Sequence, residues 1–520
     1  MEGAELTDLG FSGSQFTWYN NRWGRARVWK RLDRVLVNQD WLSLGVNTTV
    51  AHLNRVASDH SPLLLSCSLA MGGAPKSFRF LDVWRSHAEF HNVVRQAWEV
   101  ECDGRPIRVL LAKLKAVKQA LRTWHKETFC NIFDRVKEDE ATVLALERSL
   151  EECPSGEGEI KRRRAQGALK MSLLREAAYW RQKARLRWLR EGDANSKFFH
   201  AQVKQRRARS FIHRMKDTNG VWTEEPSRIE ELATTFFADI LSQPGHGPMD
   251  LSMLEVIPSV ITVQDNMELQ QFPTEEEVKA VVFQLDGGSS PSPDGFTGSF
   301  FTSCWDIVKG EIYRAVCDFF AGAELSWGYT ATWLALIPKT PGPSSFSDFR
   351  PISLCNFVNK IMSKLLARRL EHVLPRLISQ QQSGFVKGRQ ISDNILLALE
   401  MCSALGKKVR GSNVVLKLDM AKAYDRVSWN FLIQVMRRFG FGEQWLDMVW
   451  RLISSCHFSV LVNGKPCGFF RSSRGLRQGD PLFQALFIIA DEVLSRSMNE
   501  LLGELNLAPV FVTGVWHNVN

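Results

Sequence analysis

Apolar residues change their spacing along the chain, and each change predicts a different architecture. Over residues 1–70 they come in short runs between turn formers: Gln15-Phe16-Thr17-Trp18-Tyr19, Val35-Leu36-Val37 and Pro62-Leu63-Leu64-Leu65-Ser66. Such runs read as strands. Met71-Gly72-Gly73-Ala74-Pro75 opens an expected linker over 71–84. Residues 85–265 read as a helical region. Leu173, Ala177, Trp180, Ala184 and Trp188 mark one helical face. Pro154-Ser155-Gly156 separates that helix from an acidic one, which predicts an antiparallel hairpin.

From residue 270 the pattern is mixed α/β. A helix is expected from Thr274 to Leu285, with Thr274 and Glu277 as a capping box. Ser289–Gly295 reads as a loop. Trp429, Leu432, Ile433, Met436 and Phe439 give an amphipathic helix that Gly440 should close. Phe458–Val462 followed by Asn463-Gly464 predicts a hairpin. Leu486, Ile489, Ala490, Val493 and Leu494 predict a helix over Leu482–Leu502, with Asp491 and Glu492 on its surface.

Charge sharpens this division. The net charge is +10, yet residues 160–216 hold 18 Lys/Arg against three acids, so the remainder is net acidic. Arg181, Lys183, Arg185, Arg187 and Arg190 lie mostly off the apolar face, with aromatics between them. A concentrated basic stripe of this kind suits a polyanion, against the alternative of a solvated face. The 520 residues leave room for roughly three or four domains. Ten cysteines without a Cys-x-x-Cys pair exclude a zinc ribbon and fit a reducing compartment. No signal peptide and no apolar run of ~20 residues is visible, so an intracellular chain without membrane contact is expected, in nucleus or cytoplasm.

The candidate chemistry centres on Asn413-Val414-Val415-Leu416-Lys417-Leu418-Asp419. A β-branched run ending in an acid can present a metal ligand at a sheet edge, or simply cap a turn. Tyr424 could wall a nucleotide's sugar pocket or belong to the core, and Asp425 reads as structural. Two-metal phosphoryl chemistry needs several carboxylates. Arg474-Gly475-Leu476-Arg477-Gln478-Gly479-Asp480-Pro481 combines glycines, which let backbone approach a ligand, with Gln and Arg side chains suited to bases, sugars and phosphates. Lys339 and Arg350 are two cations on short extended segments, within reach of a triphosphate or at an ordinary surface.

Taken in order, Leu336-Ile337-Pro338-Lys339, Phe349-Arg350-Pro351-Ile352-Ser353-Leu354, Gln382–Arg389, Lys417–Arg426 and Arg474–Pro481 resemble the reverse transcriptase of non-LTR (LINE-type) retrotransposons. Ser292–Phe296 and Trp180–His200 resemble segments preceding that polymerase. Phe16-Thr17-Trp18, Arg31–Arg34 and Ser58–Pro62 resemble the end of its endonuclease. The resemblance implies a truncated right-hand polymerase, fingers and partial palm without a thumb, over 270–520. It also implies a basic helical connector over 85–265 and a fragment of an endonuclease/exonuclease/phosphatase-type β-sandwich over 1–70.

By resemblance, Asp419 would hold Mg²⁺ and Tyr424 would exclude a 2′-hydroxyl. Lys339 and Arg350 would meet the incoming triphosphate, and Gln478 the sugar or template pair. Asp59 and His60 would match the endonuclease's final pair, with Asp33 as a supporting acid. The implied partners are an RNA template, a DNA primer and deoxynucleoside triphosphates. The family's second palm acids sit in an aromatic-Ala-Asp-Asp turn. The nearest matches are Phe237-Ala238-Asp239-Ile240, upstream of the polymerase motifs, and Ile489-Ala490-Asp491-Glu492. Ser292 stands where the family usually has Gly, and Phe483-Gln484 where Ser-Pro usually follows the Leu. The endonuclease's metal-binding Glu has no counterpart in 1–70. A catalytically incomplete polymerase is therefore expected, the alternative being a non-catalytic nucleic-acid-binding remnant.

Overall fold

The structure is a computed structural model. It describes residues 6–504 except 23, 39–40, 42–45, 54, 56–57, 70–76, 130, 154, 185–202, 204–205, 207–209, 243–250, 289, 291, 341 and 405–417. The N-terminal region is built on two antiparallel strands, β1 (Val46–His52) and β2 (Leu63–Leu69), paired from Val46↔Leu69 to His52↔Leu63. Ser12–Gly13 adds a short parallel strand beside β1. Two of the expected runs shrink to the dipeptides Trp18–Tyr19 and Leu36–Val37. The core here is small: Leu9, Val37 and Val50 are buried.

Four helices follow: α1 (Phe90–Trp98), α2 (Pro106–Thr128), α3 (Ile132–Glu152) and α4 (Gly156–Ala184). Pro106 opens α2 at its first turn, where a missing N–H costs nothing. Its buried stripe is Ile107, Leu110, Leu114, Val117, Leu121 and Trp124. Helices α3 and α4 form the expected antiparallel hairpin, joined across by Asp139–Ser172 (2.6 Å) and Glu147–Arg162 (3.8 Å). The apolar face agrees with the expected one at Ala177 and Ala184, which are buried, and Trp180 is half-buried; Leu173 is exposed, Asp139 drawing Ser172 into the seam instead, and Trp188 lies outside the described residues.

The expected linker over 71–84 ends early. Phe78, Phe80 and Trp84 are buried in the main core with Phe296 and Phe300, and Phe80 N–H donates to the Gly295 carbonyl (2.9 Å). That core continues through the polymerase-like motifs to Val493, so the first part of the helical region and residues 270–493 share one interior.

The next elements are two-residue strands β3 (Met215–Lys216) and β4 (Trp222–Thr223), then α5 (Pro226–Ser242), α6 (Glu275–Gln284) and α7 (Trp305–Phe320). Thr274 caps α6 by accepting from Glu277 N–H, but the capping box is incomplete. The Glu277 carboxylate turns instead to Arg369 (2.9 Å). A four-stranded sheet follows from β5 (Ala331–Pro338), β6 (Phe349–Cys355), β7 (His457–Val462) and β8 (Lys465–Arg471). Its order is β6-β5-β7-β8, with β5 and β7 parallel and both outer pairs antiparallel. Asn463 (φ 51°) and Gly464 (φ 84°) make the predicted hairpin turn, whose handedness requires positive φ at both positions. Helix α5 lies on the sheet through Ile229, Ala233, Phe237 and Leu241, which join Leu334, Phe458, Val460 and Val462 in a second core.

Around the sheet stand α8 (Phe357–Leu377), α9 (Ile391–Ala404), the single turn α10 (Ala423–Arg426), α11 (Trp429–Phe439), α12 (Glu443–Ser454) and α13 (Phe483–Glu504). Gly440 closes α11 as expected. Glu492 corrects the expected surface of α13. It is buried, accepting from Ser379 N–H (3.0 Å) and pairing with Arg496 (2.8 Å). Among the described residues no helix is long and apolar enough to cross a membrane.

Candidate nucleotide site

Lys339 and Arg350 are brought together by the β5–β6 pairing. Ile337 faces Arg350, and Lys339 N–H donates to the Asp348 carbonyl (2.8 Å). With a two-residue side-chain period, Arg350 and Lys339 therefore project on the same side. The connecting turn is fixed by Asp348, whose carboxylate accepts from Ser344 N–H (2.9 Å) and Ser345 N–H (3.0 Å). Both cations are exposed.

Lys422 and Asp425 lie within electrostatic reach of Lys339. Asp425, at α10, is buried, and burial pushes its carboxyl up to about 6 against the opposing pull of Lys422, Lys339 and Arg426. Lys422 adopts the left-handed conformation (φ 53°) and points its Nζ over Phe236 (4.5 Å) and Phe237 (5.6 Å) of α5. Burial lowers its pKa, opposed by Asp425. Sequence reasoning passed over Lys422. Its only signal was a cation within the Lys417–Arg426 motif, and the aromatic pair that receives it is nearly two hundred residues upstream.

Tyr424 is half-buried and stacks on Phe487 of α13, with ring centroids 4.1 Å apart and planes at 16°. Its carbonyl accepts from Leu476 N–H (2.8 Å), and the Val427 carbonyl accepts from Gly475 N–H (2.8 Å). Trp429 Nε1 then donates to the Gly475 carbonyl (2.7 Å). The Gly-rich loop is thus joined to the segment carrying Tyr424. Gly475 (φ 84°) is needed because a Cβ would stand 2.6 Å from the Asp425 carbonyl oxygen. The close approach expected for a ligand is here made to the protein's own backbone.

The same loop separates Gln478 from Arg477. Gln478 stays half-exposed while its carbonyl accepts from Ser353 N–H of β6 (2.9 Å). Arg477, expected to suit a phosphate, turns inward. It pairs with Asp480 (3.0 Å), donates to Asn359 Oδ1 (3.0 Å) and covers Phe483. Asp480 also accepts from the Ser363 hydroxyl and from Leu482 N–H (3.2 Å). Arg389, in the Gln382–Arg389 motif, is likewise structural. Its guanidinium donates to the carbonyls of Ser379, Gln382 and Ile378 just beyond α8.

Asp419 is exposed and lies in irregular backbone; the strand expected to deliver it falls on 413–417, outside the described residues. Among the described residues no three His, Cys, Asp or Glu side chains gather to hold a metal ion. Asp425 is enclosed by cations. The described residues therefore do not make up a two-metal set.

At the N-terminus the structure brings Asp33 and His60 together, Oδ2 to Nδ1 2.8 Å. Thr17 Oγ1 accepts from the N–H groups of Leu32 and Asp33 (3.0 Å each), and Trp18 bridges to His60. Partial burial opposes the Asp33 charge, but hydrogen bonds from His60 and Thr17 outweigh it and hold the carboxyl below its ordinary value. The Asp59 carboxylate accepts from Trp18 Nε1 (2.9 Å). In the basic region, Arg181 is exposed. Lys183 sits over Tyr179 (4.0 Å), and both Tyr179 and Trp180 pack on Phe133. These aromatics, expected to meet bases, are occupied within the fold. Arg185, Arg187 and Arg190 lie outside the described residues.

Residues 337–508 match the family model described as "Reverse transcriptase (RNA-dependent DNA polymerase)". The chain is 26% identical over 499 residues to the Transposon TX1 uncharacterized 149 kDa protein of Xenopus laevis, covering 92% of this chain and 37% of that protein. It is 25% identical over 277 residues to the Retrovirus-related Pol polyprotein from type-2 retrotransposable element R2DM of Drosophila melanogaster, covering 53% and 25%. A type-1 element R2 polyprotein of Nasonia vitripennis is 26% identical over 210 residues, covering 40% and 20%. The chain spans well under half the length of these relatives.

Proposed function

We propose that residues 337–508 are a reverse transcriptase region of the non-LTR retrotransposon kind that binds the nucleotide and primer–template of RNA-directed DNA synthesis without a complete metal set. The observation that carries this reading is the bonding of the Gly-rich loop, which bears Gln478, to the Tyr424 backbone. Lys339 and Arg350 share one face of a hairpin, and Lys422 of the Tyr424 segment feels the charges of Lys339 and Arg426. Lys339 and Arg350 would receive the triphosphate, Tyr424 would flank its sugar, and Gln478 would face the sugar or the templating pair. The reaction this serves is attack of a primer 3′-oxygen on the α-phosphate, with pyrophosphate leaving. Divalent metal supplies charge neutralisation in such chemistry. Asp419 would be the residue to hold it.

Primer extension with Mg²⁺ tests the reading. The chain should bind a deoxynucleotide on an RNA–DNA primer–template yet incorporate nothing above an Asp419→Ala control. Incorporation that disappears in Asp419→Ala would show a working polymerase and overturn the binding-only reading.

The N-terminal region supports a second reading, a fragment of the endonuclease, carried by the Asp33–His60 contact with Asp59 adjacent in sequence. A nicking assay on supercoiled DNA, compared with His60→Ala, decides it. Arg181 and Lys183 belong to a phosphate-binding stripe for RNA in this proposal. Affinity should fall steeply between 50 and 200 mM salt, and a flat response in filter binding removes that role.

A further inference from the structure

Helix α13 packs against the Tyr424 ring through a residue that no sequence motif assigned. Phe487 is buried and stacks on the tyrosine almost in parallel, at 4.1 Å. Asp491 stands one turn further along, on the same face, since residues four apart on a helix are neighbours. It is half-buried, and its charge adds to the upward push that burial exerts on the Tyr424 phenol pKa. Its neighbour Glu492 is turned away, committed to Ser379 and Arg496. On the other side, Tyr424 is fixed through its backbone by Leu476 N–H.

A ring excludes a 2′-hydroxyl only if it cannot retreat. Backbone bonds hold the Cα of Tyr424 but leave its side-chain torsions free. What stops the ring is the surface behind it. A stacked aromatic opposes both tilting and withdrawal.

We propose that Phe487 is a positioning residue, the back wall that fixes Tyr424 and so sets how strongly the nucleotide site prefers deoxyribose to ribose. This rests on the reading of Tyr424 as the sugar-side wall. Phe487 does not touch the substrate. Its contribution is to the ratio of two affinities and not to affinity itself.

The test measures binding of a fluorescent deoxynucleoside triphosphate and its ribo counterpart to the full chain, on an RNA–DNA primer–template with Mg²⁺ present. Phe487→Leu should lower the deoxy/ribo affinity ratio by about three- to tenfold, the worth of an aromatic pair. Phe487→Tyr, which keeps the stack, should preserve it. Should Phe487→Leu fail to fold, Phe487→Met, which keeps an apolar side chain but no ring, gives the same reading. If Tyr424→Ala collapses the ratio while Phe487→Leu or Phe487→Met leaves it unchanged, Tyr424 acts alone and the proposal is overturned. If the wild-type chain binds neither nucleotide, or Tyr424→Ala leaves the ratio intact, the reading of the site itself falls and this inference falls with it.

Discussion

Asp33–His60 and Asp480–Arg477 are contacts of nearly equal length, 2.8 and 3.0 Å, in opposite surroundings. The first joins side chains 36% and 44% exposed, over a sheet with a core of a few residues. The second joins side chains 0% and 1% exposed, beneath a loop set against the largest core in the molecule. Water competes for the first pair and leaves both partners able to meet a ligand. It is absent from the second, whose partners are committed to each other, to Asn359 and to Ser363. Asp425 lies between these cases, a buried carboxylate near cations that still shifts upward to about 6. Depth decides whether a charge is available for chemistry or spent on holding a loop.

The largest way to break this comparison is to remove one member of the deep pair. Asp480→Ala leaves Arg477 charged in an apolar interior and should cost roughly 3–5 kcal/mol in a urea unfolding experiment. Replacing both, Arg477→Met with Asp480→Leu, should recover most of that loss, because the uncompensated charge disappears with its partner. A loss below about 1 kcal/mol for Asp480→Ala would mean that water reaches the pair and that depth does not separate the two contacts.

Arg477 also shows where the sequence stops being legible. It stands one residue from Gln478 in a loop whose composition suits phosphate, and nothing local tells an inward arginine from an outward one. The deciding partners, Asn359 and Ser363, are more than a hundred residues upstream. Local patterns fared better. The α11 stripe with Gly440, the Asn463-Gly464 turn and the α3–α4 hairpin all follow from spacing and turn chemistry. Strand β1 escaped notice because Asn47, Thr48, Thr49 and His52 mask its period. Phe78 and Phe80 looked like linker because only the distant Phe296 and Phe300 give them a core. The motifs offered Lys339, Arg350, Tyr424 and Gln478 as candidates, in chain order. The ring behind Tyr424 could not be read, since Phe487 lies in a helix whose apolar stripe already accounts for it.

Asp425 sharpens the middle of the scale. Its folded pKa, about 6, is above the unfolded value, so its contribution is complete below about pH 3.9 and is lost as pH rises through 6. Asp425→Asn removes that loss. The variant should be more stable than the parent by on the order of 2–3 kcal/mol at pH 8, with the gap closing towards pH 4. Urea midpoints at the two pH values check this. A variant less stable than the parent at pH 8 would show that Lys422 and Lys339 need the carboxylate more than burial penalises it.

The smallest effect belongs to the shallow pair. Asp33 is held below its ordinary pKa, so the sign is opposite to that of Asp425. Its contribution is present above about pH 3.9 and is lost as pH falls through the folded value. With more than a third of the carboxylate exposed, solvent screening leaves well under 1 kcal/mol at pH 7. Such a change is lost in a global unfolding curve, but amide hydrogen exchange at Leu32 and Asp33, whose N–H groups donate to Thr17, reads it locally. Asp33→Asn should speed that exchange by a few-fold at most at pH 7, with the effect shrinking as pH falls through the lowered Asp33 pKa. An effect at pH 7 as large as that of Asp480→Ala would mean that the N-terminal pair is structural too. The difference in depth would then carry no difference in role.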